Sequence, residues 1–221
     1  VSLLKVNLRW VNRSRHHRFG LTASPPRDIG SPFALRGILH GSSLADFSKW
    51  RGELYAAIDR ADLGLLGRWV PYPFELSAGE GGVRLWLDFK NRTLSSVTAN
   101  VNLHKVEVRL RPEFPAFEIY KLSGLLAWKD LLPGFHVDLK GLTLNASNNL
   151  NLSNSTAQFR YIPAAAGRPV TWEFKTPALR LESLVVLANY LLVEGDAAHI
   201  LGRLSLMGFV CDFSGKWYCS G

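Results

Sequence analysis

The chain has 221 residues, of which 47% are hydrophobic and 20% are charged. This composition excludes wholesale disorder, and the length fits one large all-β domain or two small ones. The net charge of +8 is compatible with nucleic acid, with anionic lipid headgroups or with a solvated basic surface. No apolar run reaches the roughly 18 residues of a membrane-spanning helix, and the first residue is Val1 rather than Met. We therefore expect a piece of a longer protein whose targeting or anchoring segment lies elsewhere.

Alternating apolar and polar residues predict four strands near the start of the chain, because successive side chains of a strand point to opposite faces. These strands are centred on residues 4–10, 19–23, 33–39 and 54–58. Ser24-Pro25-Pro26 is expected to end the second strand, since proline interrupts a ladder of hydrogen bonds.

A short helix is predicted over residues 62–69. Asp62 is a suitable N-cap, and Leu63 and Leu66 are spaced to share one face. The glycine-rich residues 79–82 follow, and they are predicted to form a turn that leads into the next strand.

The next 60 or so residues contain one strand after another, each with a single apolar face. Apolar residues occupy 83, 85, 87 and 89, whereas 84, 86, 88 and 90 are assigned to the opposite, polar face. The alternation changes phase at Lys105 and again at Gly141. One extra residue that resets the face is typical of a β-bulge, and two bulges favour a strongly curved sheet.

The last third is predicted to contain a polar loop or hairpin tip, three further strands and two helices. The loop covers residues 145–155, the strands 157–161, 170–174 and 209–213, and the helices 182–192 and 196–204. A strand–helix–strand order recurs at 53–89 and 170–213. Because no linker separates the two copies, residues 1–221 are interpreted as a single domain.

Catalytic and metal-binding motifs are absent from the sequence. The six histidines lack the spacing of zinc ligands, no nucleophile elbow occurs, and the glycine run lacks the Lys-Ser/Thr of a phosphate-binding loop. We therefore expect no enzyme activity, no cofactor and no metal, and we expect no nucleic-acid binding. If Ser214-Gly215 is a hairpin turn, Cys211 and Cys219 stand diagonally, and the sequence leaves open whether they are bonded.

An ordered set of short motifs resembles the YhdP family, which comprises large AsmA-like envelope proteins of Gram-negative bacteria related more distantly to TamB. The resemblance covers most of the chain and is strongest from Trp50 to Leu144. Its motifs are Trp50-Arg51-Gly52-Glu53-Leu54-Tyr55, Asp62-Leu63, Trp69, Pro73, Gly79-Glu80-Gly81, Arg84-Leu85-Trp86-Leu87-Asp88-Phe89, Leu122-Ser123-Gly124, Trp128 and Pro133-Gly134-Phe135.

The resemblance implies a long protein with an N-terminal inner-membrane helix and a periplasmic body. That body is expected to be a β-sheet curled into an elongated groove with an apolar lining. The family is implicated in moving phospholipid between the inner and outer membranes and in maintaining the outer-membrane permeability barrier. Its partners are then phospholipid acyl chains, membranes reached through segments outside this chain, and other envelope proteins.

From the alternation and the resemblance together, we predict a mainly β fold with a few short helices, in which a curved, largely antiparallel sheet forms an open apolar groove. The alternative is a closed β-sandwich in which the same residues form a dry core. A second function, a scaffold that binds envelope partners by strand addition, also fits the sequence, and sugar binding through exposed Trp is a third. The predicted lining residues are Val83, Leu85, Leu87, Phe89, Val101, Leu103, Val106, Val108, Phe135, Val137 and Leu139.

Overall fold

The structure is a computed structural model that describes residues 3–41, 49–67, 75–109, 116–147, 149–165, 168–180 and 208–219. Its strands form one antiparallel sheet in which each strand pairs with its neighbours in the chain. The elements are β1 (Leu4–Arg13), β2 (His16–Ser24), β3 (Phe33–His40), β4 (Arg51–Asp62), α1 (Leu63–Leu66), β5 (Glu75–Lys90), β6 (Thr93–Arg109), β7 (Phe117–Asp130), β8 (Phe135–Ala146), β9 (Asn151–Ile162), β10 (Val170–Arg180) and β11 (Phe209–Cys219).

The sheet is open, because β1 and β11 stand at its two edges and do not pair with each other in the described part of the chain. The predicted fold class is confirmed: the molecule is mainly β, antiparallel and not closed, and α1 is the one α-helix within the described ranges. All the early strands occur where alternation predicts them, and each extends beyond its predicted bounds. Ser24 is the last residue of β2, as expected from the prolines that follow.

Both predicted β-bulges are confirmed. Lys105 has a φ of 51° and Gly141 a φ of 61°, and the strand pairing shifts near both residues. The positive φ at Lys105 lets Val106 turn toward the side on which Leu103 lies, and both residues belong to the same hydrophobic cluster. The interrupted pairing is consistent with a curved sheet, since bulges bend and twist strands.

Helix α1 begins where the sequence predicts and ends sooner. The backbone N–H of Leu65 donates to Asp62 Oδ1 at 2.9 Å, so Asp62 is the N-cap. Gly67 is the C-cap. Trp69 and the predicted helices at 182–192 and 196–204 lie outside the described residues. The two strands of the second copy of the proposed internal repeat lie in β10 and β11, whereas its helix lies outside the described residues.

The predicted turn at residues 79–82 is wrong, because β5 continues through it. Gly79 and Gly81 have φ values of 152° and 149°, which residues other than glycine rarely adopt. A Cβ on Gly81 would lie 2.2 Å from the carbonyl oxygen of Asn102 on β6. Glycine here allows close approach between two paired strands rather than a reversal of the chain.

Two further loop predictions need correction. The polar residues 145–155 are mostly in β8 and β9, and the turn itself lies between Ala146 and Asn151. The Ser214-Gly215 turn is wrong because both residues lie within β11, where they pair with Lys175 and Phe174. The sequence predicts a strand that ends at Phe213, because a Ser-Gly pair is also a common turn sequence.

Fully buried apolar residues lie mainly at one end of the strands. One cluster comprises Ala61, Leu63, Val106 and Val108 around α1. A second comprises Leu144, Ala146 and Leu150 at the β8–β9 turn. The middle of the sheet lies between these clusters and the opposite end, where the β1–β2 and β5–β6 turns are found.

Candidate functional site

One face of the sheet carries apolar rows that run across the strands, and we call it the apolar face. The longest row contains one residue from every strand, each a cross-strand partner of the next. With adjacent strands about 4.8 Å apart, a row of this kind is about 48 Å long. Its members are Trp10, Phe19, Gly37, Leu54, Leu87, Val97, Trp128, Val137, Phe159, Phe174 and Gly215.

A second apolar row lies beside the first, displaced by two residues along each strand. It spans nine strands from β1 to β9. Its members are Leu8, Leu21, Leu35, Ala56, Leu85, Ala99, Leu126, Leu139 and Ala157. Monomeric proteins seldom expose continuous apolar patches larger than a few hundred Å², so a face of this extent points to an interaction surface.

The predicted lining residues fall into two groups. Nine of the eleven are half-buried in the apolar face or its margins: Val83, Leu85, Leu87, Phe89, Val101, Leu103, Phe135, Val137 and Leu139. Val106 and Val108 are only 5% and 7% exposed, because they pack in the cluster around α1. Their side chains belong to a small core at the end of the strands. Contact of the other nine with lipid stays a prediction.

The apolar face has an aromatic part that was not predicted as part of the site. Tyr161 and Trp172 have ring centroids 4.4 Å apart, and Phe159 and Trp172 are 5.2 Å apart. Phe174 lies 6.0 Å from Phe213 on β11. The sequence signal for this part of the site is the aromatic residues at alternate positions of the predicted strands 157–161 and 170–174. Alternate residues of a strand share a face, and the pairing of the two strands places these aromatic residues on the same face of the sheet.

The apolar face reaches the open edge of the sheet at β1. Val6, Leu8 and Trp10 are 55%, 64% and 50% exposed. Trp10 stacks on Phe19 of β2 with the ring centroids 5.9 Å apart. The edge of β1 that faces away from β2 has no paired strand within the described residues.

The opposite face is polar and carries ion pairs between strands. Glu173 of β10 accepts from Lys216 of β11 at 2.9 Å and lies 3.8 Å from Arg160 of β9. The hydrogen bond from Lys216 is the main cause that lowers the pKa of Glu173, and the same bond raises the pKa of Lys216. This charged ladder joins three strands on the face opposite the rings of Phe159, Trp172 and Phe174, so one face of this part of the sheet is apolar and the other is charged.

In the described residues, no group of three or more His, Cys, Asp or Glu side chains is placed to hold a metal ion. Among those residues, no helix has both the length and the apolar character required to cross a membrane.

An open antiparallel meander with one apolar and one charged face defines a class of single-layer β proteins that offer an extended apolar surface instead of a closed pocket. The family model described as YhdP protein matches residues 2–220. The chain belongs to the YhdP family, and this membership indicates an envelope-associated, AsmA-like protein. A search of curated proteins and a search of solved structures each gave no match.

Proposed function

We propose that the apolar face carries phospholipid acyl chains through the periplasm, between the inner and outer membranes, and so helps to maintain the outer-membrane permeability barrier. The protein is then a non-enzymatic conduit. The observation that carries the proposal is the apolar row of one residue per strand across the whole sheet. Family membership supports a setting in the cell envelope, with membrane attachment supplied by segments outside this chain.

The physical benefit of such a face is that it lowers a desolvation barrier. Moving one acyl CH₂ into water costs about 0.8 kcal/mol, so a 16-carbon chain costs on the order of 12 kcal/mol. An apolar surface removes much of this cost, because the chain passes from one apolar environment to another. The transfer of lipid between bilayer and protein is then close to neutral in free energy. The apolar face therefore provides a route for the lipid but does not determine the direction of transport.

The exposure of the apolar side chains favours an open surface rather than the core of a β-sandwich. Val83, Leu85 and Val101 in the middle of the sheet are half-buried, although they are apolar and in register with apolar partners. In a sandwich, the inner faces of two sheets pack against each other and their residues are buried. Most of the buried apolar residues in the described part of the chain lie instead in the two end clusters.

A charge scan tests the proposal. We expect Val101→Asp to fold and to lose phospholipid that otherwise co-purifies with the chain, because a carboxylate would stand among the acyl chains. Asn100→Asp is the matched control, since it adds the same charge one residue away on the polar face and should retain lipid. Folding is measured by circular dichroism, and bound lipid by native mass spectrometry with lipid extraction.

Val106→Asp calibrates the experiment, because Val106 is truly buried and a charge there should unfold the chain. If Val101→Asp unfolds as completely as Val106→Asp, the middle of the sheet is a dry core and the conduit is excluded. Absence of phospholipid from several independent preparations of the unaltered chain would also reject it.

A second function, an assembly scaffold, is favoured by one specific observation: the exposed apolar residues of the edge strand β1. An unpaired strand edge can accept a strand from another protein. A photo-crosslinker at position 8 should then capture an envelope protein in cells, whereas the conduit predicts crosslinks to lipid at position 85. Lipid adducts at both positions argue against the scaffold.

A further inference from the structure

A row of basic residues crosses five strands at the end of the sheet that holds the β1–β2 and β5–β6 turns. Its members are cross-strand partners, so their side chains share the polar face, and the row is about 19 Å long at the usual strand spacing. We call it the basic rim. Its members are Arg13, His16, His40, Arg51 and Lys90.

The basic rim borders a cavity of about 340 Å³. Its lining includes Arg15 from the β1–β2 turn together with His16, His40, Arg51 and Lys90. The two imidazoles meet edge to face with their centroids 4.6 Å apart. The row therefore forms the wall of a depression into which several cationic groups converge, rather than a flat line of separate charges.

Among the described residues, no carboxylate neutralises the cations of this depression directly. Its described lining contains no carboxylate, and Arg13, Arg15, Arg51 and Lys90 form no ion pair with any carboxylate of the described residues. Elsewhere on the same face, some cations are paired, as Arg84 is with Asp59 at 2.9 Å. Glu53 and Asp88 are partners in the next row of that face, and the Asp88 carboxylate accepts from the hydroxyl of Ser96.

Several cations around one depression suit an anion with several charged oxygens. A guanidinium offers paired N–H donors that match two phosphate oxygens, and a lysine ammonium adds a point charge. We propose that the basic rim binds a phosphate group, supplied by a phospholipid headgroup or by free phosphate. This proposal does not depend on acyl chains lying on the apolar face, because the two sites occupy opposite faces of the sheet.

The test measures binding of the full chain to two probes. Sedimentation with vesicles of phosphatidylcholine, with and without phosphatidylglycerol, reports on headgroups, and calorimetric titration with inorganic phosphate reports on the free anion. The test variant is Arg51→Gln/Lys90→Gln. At about 1 kcal/mol for each basic residue near an anionic surface, the double variant should weaken vesicle binding about thirtyfold.

The matched control is Arg9→Gln/Arg36→Gln, which removes two cations from the polar face of the same part of the sheet, away from the cavity. We expect it to weaken vesicle binding only a fewfold. The exchange variant Arg51→Lys/Lys90→Arg keeps both charges and should bind nearly as well as the unaltered chain. Circular dichroism of all variants checks that the exposed substitutions leave the fold intact.

The two probes distinguish a lipid headgroup from free phosphate, and the control variant distinguishes a specific site from attraction by net charge. Binding to vesicles that contain phosphatidylglycerol, lost in the test variant and kept in the control, supports the site with a lipid source. Heat released on phosphate addition, lost in the same variant, supports the site with a free-phosphate source. An equal loss in test and control variants means that net charge alone attracts the anion, and it overturns the proposal, as does failure of both probes to bind.

Discussion

The imidazole of His17 stacks on the indole of Trp50 with ring centroids 4.9 Å apart and planes inclined by only 6°. Both side chains are buried, at 4% and 3% exposure. His17 Nε2 lies 3.3 Å from the carbonyl oxygen of Gly41, which can only accept, so this nitrogen donates. The stack joins the ends of β2, β3 and β4 and closes the apolar face on that side, beneath the basic rim.

Trp50→Ala should therefore destabilise the fold strongly. Removing a buried Trp side chain typically costs about 3–5 kcal/mol, because apolar contact is lost and a cavity remains. Gly41 packs directly beneath the indole, since a Cβ there would lie 2.3 Å from Trp50 Nε1. Urea unfolding followed by circular dichroism measures the change in the free energy of unfolding.

Trp86→Ala is the control for this substitution. Trp86 lies on the polar face of β5 and is 43% exposed, with Tyr55 as an aromatic neighbour at 5.3 Å. We expect a loss well below that of Trp50→Ala, on the order of 1 kcal/mol. Equal losses for the two variants would mean that the His17–Trp50 stack does not hold the strand ends together.

Residue alternation predicted the strands because one face of this sheet is apolar and the other is polar, and the period of two resumes after each bulge. The bulges at Lys105 and Gly141 were visible as changes of phase. The pattern did not reveal that Gly79 and Gly81 lie inside a strand. A glycine run has no side chains to alternate, and the close approach of Asn102 on the neighbouring strand shows why glycine is required at position 81.

Gly81→Ala should destabilise the sheet by about 1–3 kcal/mol. Its φ of 149° is unfavourable for alanine, and the new Cβ would collide with the Asn102 carbonyl oxygen at 2.2 Å. The midpoint of thermal or urea unfolding gives the measurement.

Gly20→Ala provides the comparison, because a Cβ at Gly20 on β2 would meet nothing within 4 Å. This substitution should change stability little or improve it slightly, since alanine restricts the unfolded chain more than glycine does. A tolerated Gly81→Ala would contradict the close pairing of β5 and β6 at this point.

The two cysteines should not form an intramolecular disulfide. They lie eight residues apart on β11, where Cys211 pairs with Ala178 and Cys219 with Val170. Eight residues of strand separate the Cα atoms by about 26 Å, whereas a disulfide needs about 5.5–6 Å. Cys211 is exposed and free.

Mass spectrometry after mild oxidation and alkylation checks this expectation. A monomer should show no internal crosslink, and Cys211 should react with a maleimide in the folded state. Recovery of a Cys211–Cys219 bridge in a folded monomer would show that β11 does not continue as one strand through Ser214 and Gly215.

The candidate site was predictable in its chemistry and less so in its extent. Alternation identified Leu85 and Leu87 as members of an apolar face, but it could not separate them from Val106, which resumes the alternation after the bulge at Lys105 and is buried by α1. Burial depends on what packs above a strand, and this information is not local. The row through Val97, Trp128 and Phe159 needed the register of all the strands, since a shift of one residue changes the face.

The ion-pair ladder on the polar face should make stability fall in acid. Glu173 has a pKa below its ordinary value near 4.5, first because Lys216 donates a hydrogen bond to it. Since the pKa is lower in the folded than in the unfolded chain, the stabilisation is present above the unfolded pKa and is lost as pH falls through the folded one. Glu173→Gln should remove this part of the acid dependence.

The expected loss of stability at neutral pH is about 0.2–1 kcal/mol, because Lys216 is about half exposed and surface pairs are weak. Added salt should reduce it further. Urea unfolding between pH 3 and pH 7, roughly the range in which carboxyl groups titrate, gives the measurement. Glu107→Gln on β6 is the control, since it removes a carboxylate outside the ladder. If both variants keep the same slope of stability against pH as the unaltered chain, the ladder does not join β9, β10 and β11.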